Sequence, residues 1–246
     1  MEVDADFTGL WERKTDVTPL WDHVLADRHV KTKSLCTPDL IADECAGIRF
    51  SDGTTLRSLL FSTDLALIEN SDTDAVLAVY PFSPSPRLMK SLIDFAEKPV
   101  VCGIGGEVTQ GKKAIDMAQA AEQAGAIAVI VNQPFKSRDI EKIKNVISIP
   151  IISSVTVLHV DFRERVDAGV DIFHVTGGAR TGEIVEFLGY ALPGFPVMAT
   201  GGKTMESISS SIHAGADAIV LTPPSNSDLF RTVMDTYRKG LHFLKK

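Results

Sequence analysis

Three stretches of this chain read almost alike: Ala124-Gly-Ala-Ile-Ala-Val-Ile-Val131, Ala168-Gly-Val-Asp-Ile-Phe-His-Val175 and Ala214-Gly-Ala-Asp-Ala-Ile-Val-Leu221. In each, a helix ends at glycine, the residue for which a left-handed C′ conformation costs least, and a buried strand follows at once. Between these units lie strands entered through proline: Pro99-Val-Val-Cys102, Pro150-Ile-Ile-Ser153 and Pro196-Val-Met-Ala199. Proline suits the first residue of a strand, where no ladder donor is needed. The two classes of strand alternate, with one amphipathic stretch between each pair. Near-continuous apolar strands must be covered on both faces, which points to a parallel sheet wrapped by helices. Helical spacing is clearest at 111–124, where Ala114, Met117, Ala118 and Ala121 recur on one face.

Counting outward from the repeat gives eight strands, near 47–50, 75–80, 100–104, 127–132, 150–155, 171–176, 196–200 and 218–222, with a last helix from about Asp228 to Gly240. The expected fold is therefore α/β, a (β/α)8 barrel formed by residues 34–246 as one domain. A doubly wound open sheet is the alternative, but it usually carries its glycine fingerprint after the first strand, and here the glycine pairs come late. The first strand, Gly47-Ile-Arg-Phe50, is short, and Leu65–Glu69 competes with it. Residues 1–33 lie outside the repeat. Trp11, Leu20, Trp21, Val24 and Leu25 suggest an N-terminal extension that is partly helical or disordered.

Composition narrows the function classes. The chain has 246 residues and a formal net charge of −7, which argues against a nucleic-acid groove or an anionic lipid surface as the main partner. No apolar run is long enough to span a bilayer, and Met1–Leu10 has no basic segment before an apolar one, so neither a membrane span nor a signal peptide is expected. The three cysteines, Cys36, Cys45 and Cys102, have no metal-ligand spacing. Free thiols in a cytoplasmic protein are the expectation.

In such a barrel the site lies at the carboxyl ends of the strands. The residues closing each strand are Arg49, Tyr80, Gly105-Gly106-Glu107, Asn132, Ser153-Ser154, His174-Val-Thr-Gly-Gly178, Thr200-Gly-Gly202 and Thr222-Pro-Pro-Ser225. The last turns carry the strongest signal. Backbone N–H groups bare of side chains approach an oxyanion closely, and the following helix N-termini add orphan donors and positive dipole. Gly177, Gly178, Gly201, Gly202, Thr222 and Ser225 are the expected phosphate-binding set, with Arg49, Arg180 and Lys203 as further cationic contacts. Glu107, His174 and Asn132 are the expected catalytic groups: a base, a proton shuttle, and a residue to orient a carbonyl or hydroxyl. Ser153 and Ser154 show no partner base in the sequence and read as small residues packing a barrel layer. No predicted strand contains a lysine, and no histidine cluster appears, so strand-lysine Schiff-base chemistry and a dinuclear metal site are both disfavoured.

The segments Phe195-Pro-Val-Met-Ala-Thr-Gly-Gly202 and Ala214-Gly-Ala-Asp-Ala-Ile-Val-Leu-Thr-Pro-Pro224 resemble the phosphate-binding superfamily of TIM barrels. In those families Gly-Ser or Gly-Thr usually follows the final strand. Here Thr-Pro-Pro-Ser stands there, and the two prolines remove two donors. As a whole the chain also resembles an uncharacterised bacterial family loosely labelled "hydrolase". The resemblance implies a small phosphorylated or anionic metabolite at the barrel mouth, no required cofactor, and a homo-oligomer. The function expected is acid/base proton transfer by an isomerase, epimerase or lyase. The alternatives are an FMN-dependent oxidoreductase, a hydrolase, or a non-catalytic sensor with an apolar patch near Trp11 and Trp21.

Overall fold

The structure is a computed structural model that describes residues 35–106 and 109–239. Glu107, the N-terminal extension with Trp11 and Trp21, and the final residues lie outside them. After helix α1 (Asp39–Glu44) come two short strands, β1 (Ile48–Arg49) and β2 (Thr55–Leu56). The barrel then alternates strand and helix: β3 (Ser58–Phe61), α2 (Leu65–Glu69), β4 (Ala75–Ala78), α3 (Pro86–Phe95), β5 (Val100–Gly105), α4 (Lys112–Ala124), β6 (Ala128–Val131) and α5 (Ser137–Lys144). Its second half runs β7 (Ile151–Val155), α6 (Phe162–Asp167), β8 (Ile172–Val175), α7 (Thr181–Ala191), β9 (Val197–Thr200), α8 (Met205–His213), β10 (Ala218–Leu221) and α9 (Asn226–Arg238). Strands β3 to β10 are all parallel, and β10 pairs with β3 to close the barrel. The (β/α)8 expectation holds.

The repeat has a physical reason. Gly125, Gly169 and Gly215 all adopt positive φ, 97°, 105° and 102°, where the helix turns into the strand. The aspartates that follow two of them tie neighbouring strands together at the barrel's amino end. Asp171 accepts from the Ile151 N–H at 2.8 Å, and Asp217 from the Val197 N–H at 2.9 Å. Asp74 does the same for the N–H groups of Arg57 and Ser58. The prolines before β5, β7 and β9 supply no N–H, but their carbonyls accept from Val76, Val129 and Phe173 on adjacent strands.

Helix α4 buries Ala114, Met117, Ala118 and Ala121, as its spacing predicts. These belong to the core between barrel and helices. A second core fills the barrel itself, with Leu59, Leu77, Val101, Ile130, Ile152, Ile172, Met198 and Val220 from the eight strands.

One strand differs from expectation. Gly47–Phe50 is not the first barrel strand; Ser58–Phe61 is, and Leu65–Glu69 is helical. Ile48 and Arg49 pair antiparallel with Leu56 and Thr55 in a hairpin closed through Asp52 and Gly53, the latter at φ 90°. Asp-Gly between two apolar stretches is a hairpin signal, and it outweighs the apolar character of Ile48 and Phe50. The hairpin's Ile48, Phe50 and Leu56 pack into the interior core, where Ala75, Ala128 and Ala218 leave room for them. The Gly47 N–H donates to the carbonyl of Asp217, just before β10, so the hairpin plugs the barrel's amino end.

Candidate functional site

The inward-facing residues alternate along each strand. Beyond the apolar layer, the first three barrel strands present Phe61, Val79 and Gly103, while the last five present Asn132, Ser154, His174, Thr200 and Thr222. The mouth is thus apolar on one arc and polar on the other. A cavity of about 630 Å³ opens there, and both arcs line it, with Thr156 and Thr176 one step further out. No charged side chain lines it among the described residues. A smaller cavity of about 240 Å³ lies beside it, under Pro81–Pro84, and shares Val79, Ile130 and Asn132 as its wall. Gly106 keeps that wall in shape, since a Cβ there would stand 2.9 Å from the Asn132 Nδ2.

His174 sits at the middle of the polar arc and is only 5% exposed. Its Nδ1 lies 2.9 Å from the Ser154 Oγ on β7, and its Nε2 lies 3.0 Å from the Thr200 Oγ1 on β9. Burial pushes its pKa down from 6.5 to about 4, because the charged imidazolium has lost its water. The ring is therefore neutral near pH 7, and one nitrogen donates while the other accepts. Asn132 exposes its carboxamide to both cavities, with no hydrogen-bond partner among the described residues. The structure brings these two expected catalytic residues to one mouth. Glu107, the third, lies outside the described residues.

The glycine pairs divide into two kinds. The Gly201 N–H donates to the Val220 carbonyl at 3.1 Å, and the Gly177 N–H to the Thr181 Oγ1 at 3.1 Å. Neither is left for a phosphate, which corrects the expectation for both. Their glycine character has a packing cause instead. A Cβ on Gly201 would fall 2.7 Å from Ile219, and one on Gly177 would fall 2.5 Å from Ile184. Gly178 and Gly202, at φ 62° and 76°, keep N–H groups with no partner among the described residues.

The remaining expected contacts separate in the same way. Thr222 lines the cavity. Ser225 spends its hydroxyl on its own helix, accepting from the Asp228 N–H and donating to the Asp228 carboxylate at 2.6 Å. Arg180 is exposed and held in a two-pronged ion pair by Glu183, both contacts 2.8 Å. Lys203 is exposed on the turn after β9 and acts electrostatically on Asp228, whose pKa is lowered chiefly by Ser225. Arg49 is corrected outright: it lies on the hairpin at the opposite end of the barrel and cannot reach the mouth.

Two features escaped sequence reasoning. Ser154 does have a nitrogen partner, His174, because β7 and β8 pair in a register that sets the two side by side. The signal was present in the matched patterns Ile152-x-Ser154 and Ile172-x-His174, twenty residues apart. Arg165 was unremarked, an arginine within a short helix pattern. It is buried, with Nη1 donating to the Ser153 Oγ at 2.9 Å and Nη2 donating to the carbonyls of Gln133 and Phe135. Gln133 in turn accepts from the N–H and hydroxyl of Thr156 at the cavity rim.

Among the described residues no group of three or more His, Cys, Asp or Glu side chains could hold a metal ion. Hard divalent cations want several carboxylate or carbonyl oxygens, and the mouth's hydroxyls and single imidazole do not fit that demand. No described helix is long and apolar enough to cross a membrane. Cys36, Cys45 and Cys102 are not joined in disulfides, and burial pushes the thiols of the last two up to about 11 and about 12.

No protein-family model matches the sequence, and no curated protein is significantly similar to it. Solved structures do match. A phosphoenolpyruvate phosphomutase from Streptomyces platensis subsp. rosaceus is 16% identical, with TM-score 0.57 over 76% of this chain and 83% of its own. A phosphonopyruvate hydrolase in complex with oxalate and Mg++ is 12% identical, with TM-score 0.56 over 75% and 83%. A 2,3-dimethylmalate lyase of the PEP mutase/isocitrate lyase superfamily is 12% identical, with TM-score 0.56 over 78% and 83%. At such identities the likeness shows the barrel fold, a fold that hosts many reactions.

Proposed function

We propose that this chain is an enzyme of small-molecule metabolism that binds a phosphorylated or otherwise anionic metabolite at the carboxyl end of its barrel. There it moves a proton within the bound molecule, as an isomerase, epimerase or lyase does. The observation that carries this reading is His174, buried in the cavity wall and hydrogen-bonded on both sides to hydroxyls that face the cavity. The cavity's volume of about 630 Å³ lies within the range of small-molecule sites. The solved structures of similar fold include a phosphoenolpyruvate phosphomutase and a 2,3-dimethylmalate lyase, enzymes named for small anions, which supports the substrate class.

Since the cavity lining carries no charge, the anionic group belongs at the rim. The N–H groups of Gly178 and Gly202, without a partner among the described residues, and the exposed Lys203 ammonium, on the turns after β8 and β9, are the donors assigned to it in this reading. Anchoring at the rim leaves the reacting carbon and oxygen atoms over the polar arc, where Asn132 orients an oxygen. Binding free energy remote from the reacting atoms then serves orientation.

A thermal-shift panel of inorganic phosphate, phosphoenolpyruvate, dihydroxyacetone phosphate, oxalate and FMN tests the reading, since a ligand of the native state raises its stability. A rise in Tm with a phosphorylated or carboxylate compound, reduced in Lys203→Ala, is the expected result. Proton exchange of the binding compound in D2O, followed by NMR, should be lost in His174→Gln. A panel that moves Tm only with FMN favours the flavin alternative, and a panel that moves nothing removes the anion site.

A further inference from the structure

The proposed proton transfer does not need a charged group, and the wall of the mouth shows how it proceeds without one. The ring of His174 bridges two strands, with a hydroxyl at each nitrogen: Ser154 Oγ at 2.9 Å from Nδ1 and Thr200 Oγ1 at 3.0 Å from Nε2. Each hydroxyl has one O–H and two lone pairs, so whichever it does toward the ring, it retains the opposite capacity for the cavity. If Nδ1 carries the proton, it donates to Ser154, whose own O–H is free to point into the cavity, while Thr200 donates to Nε2 and offers the cavity a lone pair. If Nε2 carries the proton, the two poles exchange roles.

We infer that Ser154, His174 and Thr200 form a charge-free proton relay whose two hydroxyl ends address two oxygen functions on separate carbons of the bound molecule. This rests on the proposed proton-transfer reading of the same mouth and adds Ser154 and Thr200 to it as catalytic residues, with His174 as the group between them.

The step balances. A substrate hydroxyl gives its proton to Thr200 Oγ1 as the Thr200 proton passes to His174 Nε2. The proton on Nδ1 passes to Ser154 Oγ as the Ser154 proton passes to a substrate carbonyl oxygen. Each hydroxyl loses one proton and gains one, the imidazole changes tautomer, and no ion forms. For a β-hydroxy carbonyl the electrons balance as an aldol-type cleavage. The O–H pair becomes the second bond of a new C=O, and the C–C bond beside the hydroxyl-bearing carbon breaks. Its pair becomes the C=C of an enol, and the carbonyl π pair forms the new O–H bond. The reverse turnover, or exchange with water, restores the first tautomer.

The surroundings suit such a relay. Strands β7 and β9 flank the imidazole, and their inward side chains beside it are Ile152, Ser154, Met198 and Thr200, none of them charged. No carboxylate among the described residues faces the ring to hold an imidazolium. The burial that pushes its pKa to about 4 leaves the neutral ring, the form that can switch tautomers, as the working form near pH 7. The inference also accounts for the chemistry of the arc, which offers hydroxyls and an amide where an ionised acid/base pair would need charge.

Nitrogen-15 NMR of histidine-labelled full-length protein tests this without a substrate. In the wild type both His174 nitrogens should resonate between the protonated and bare positions, and neither should move between pH 5.5 and 8.5. Ser154→Ala and Thr200→Val should each displace the pair toward one tautomer, and Ser154→Thr should restore the averaged signal, with circular dichroism confirming the fold. A wild-type ring locked in one tautomer and unmoved by either truncation overturns the relay and leaves His174 a structural clamp. Titration of the ring above pH 5.5 overturns it as well. Neither result depends on the ligand panel, so failure of the relay and failure of the anion site are read separately.

Discussion

Arg165 on α6 reaches the Ser153 hydroxyl on β7 at 2.9 Å, and it does so without any carboxylate in ion-pair contact among the described residues. Its other terminal nitrogen holds the carbonyls of Gln133 and Phe135, so one buried guanidinium fixes the turn after β6 against β7 from behind. Burial pushes its pKa down, with Glu164 opposing, yet a guanidinium stays protonated at any ordinary pH. The turn it fixes carries Gln133, which lines the cavity.

Replacing Arg165 by Met strands the buried Phe135 carbonyl, the half-buried Gln133 carbonyl and the Ser153 hydroxyl. Hydrogen bonds to charged groups contribute on the order of 1.5–3 kcal/mol each, and the losses are not additive, so an overall loss of about 3 kcal/mol is expected. Urea unfolding measures it. Arg165→Lys should recover part of the stability, since an ammonium reaches fewer of the three acceptors. A variant as stable as wild type contradicts the account.

The hairpin plug gives a paired prediction. Phe50→Ala opens the interior core at the barrel's amino end and should cost about 3–5 kcal/mol, as large-to-small core changes do. Arg49→Ala, one residue away and exposed, should change stability by less than about 0.5 kcal/mol and leave every ligand-induced thermal shift as it was. A weakened ligand response in Arg49→Ala would put that residue back at the mouth.

His174 makes the fold sensitive to acid. Its folded pKa of about 4 lies below its ordinary 6.5, so between those values the unfolded chain binds a proton that the folded chain does not. Stability is therefore whole above about pH 6.5 and falls as pH drops toward 4, by up to about 3 kcal/mol from this group. The difference between wild type and His174→Gln, measured by urea unfolding at pH 7 and pH 4.5, isolates it from the carboxylates. Equal pH slopes for the two proteins would mean that the ring is already charged in the folded state.

Glycines that pack and glycines that turn should respond differently. Gly201→Ala forces a Cβ to 2.7 Å from Ile219 and 2.8 Å from Ile208, which should cost about 1–3 kcal/mol of overpacking. Gly178→Ala meets no neighbouring atom within 4 Å and carries only the strain of φ 62°, about 1–2 kcal/mol. Thermal unfolding of the two variants should rank Gly201→Ala as the less stable.

Much of the architecture was legible in the chain. Gly125, Gly169 and Gly215 announced helix ends, and Pro99, Pro150 and Pro196 announced strand starts, because both residues act through their own backbone geometry. The first barrel strand was not legible. Ser58-Leu-Leu-Phe61 has no glycine or proline to mark it, and the more conspicuous Gly47-Ile-Arg-Phe50 drew the assignment. At the mouth, the position of His174 and Asn132 in the cavity wall was legible from strand ends alone. The glycine pairs misled in part, since tight packing against Ile184 and Ile219 selects glycine as strongly as an approaching anion does.

The sequence alone determined that strands and helices alternate, that the strands are covered on both faces, and which residues end the strands after the first. Those properties follow from local backbone preference and from period-two and helical patterning, which need no knowledge of neighbours. Only the tertiary structure decided that β3 meets β10, that Ser154, His174 and Thr200 fall side by side, and that the Gly201 N–H is already engaged. Such facts depend on the register between strands far apart in the chain, and no single stretch of residues encodes a register.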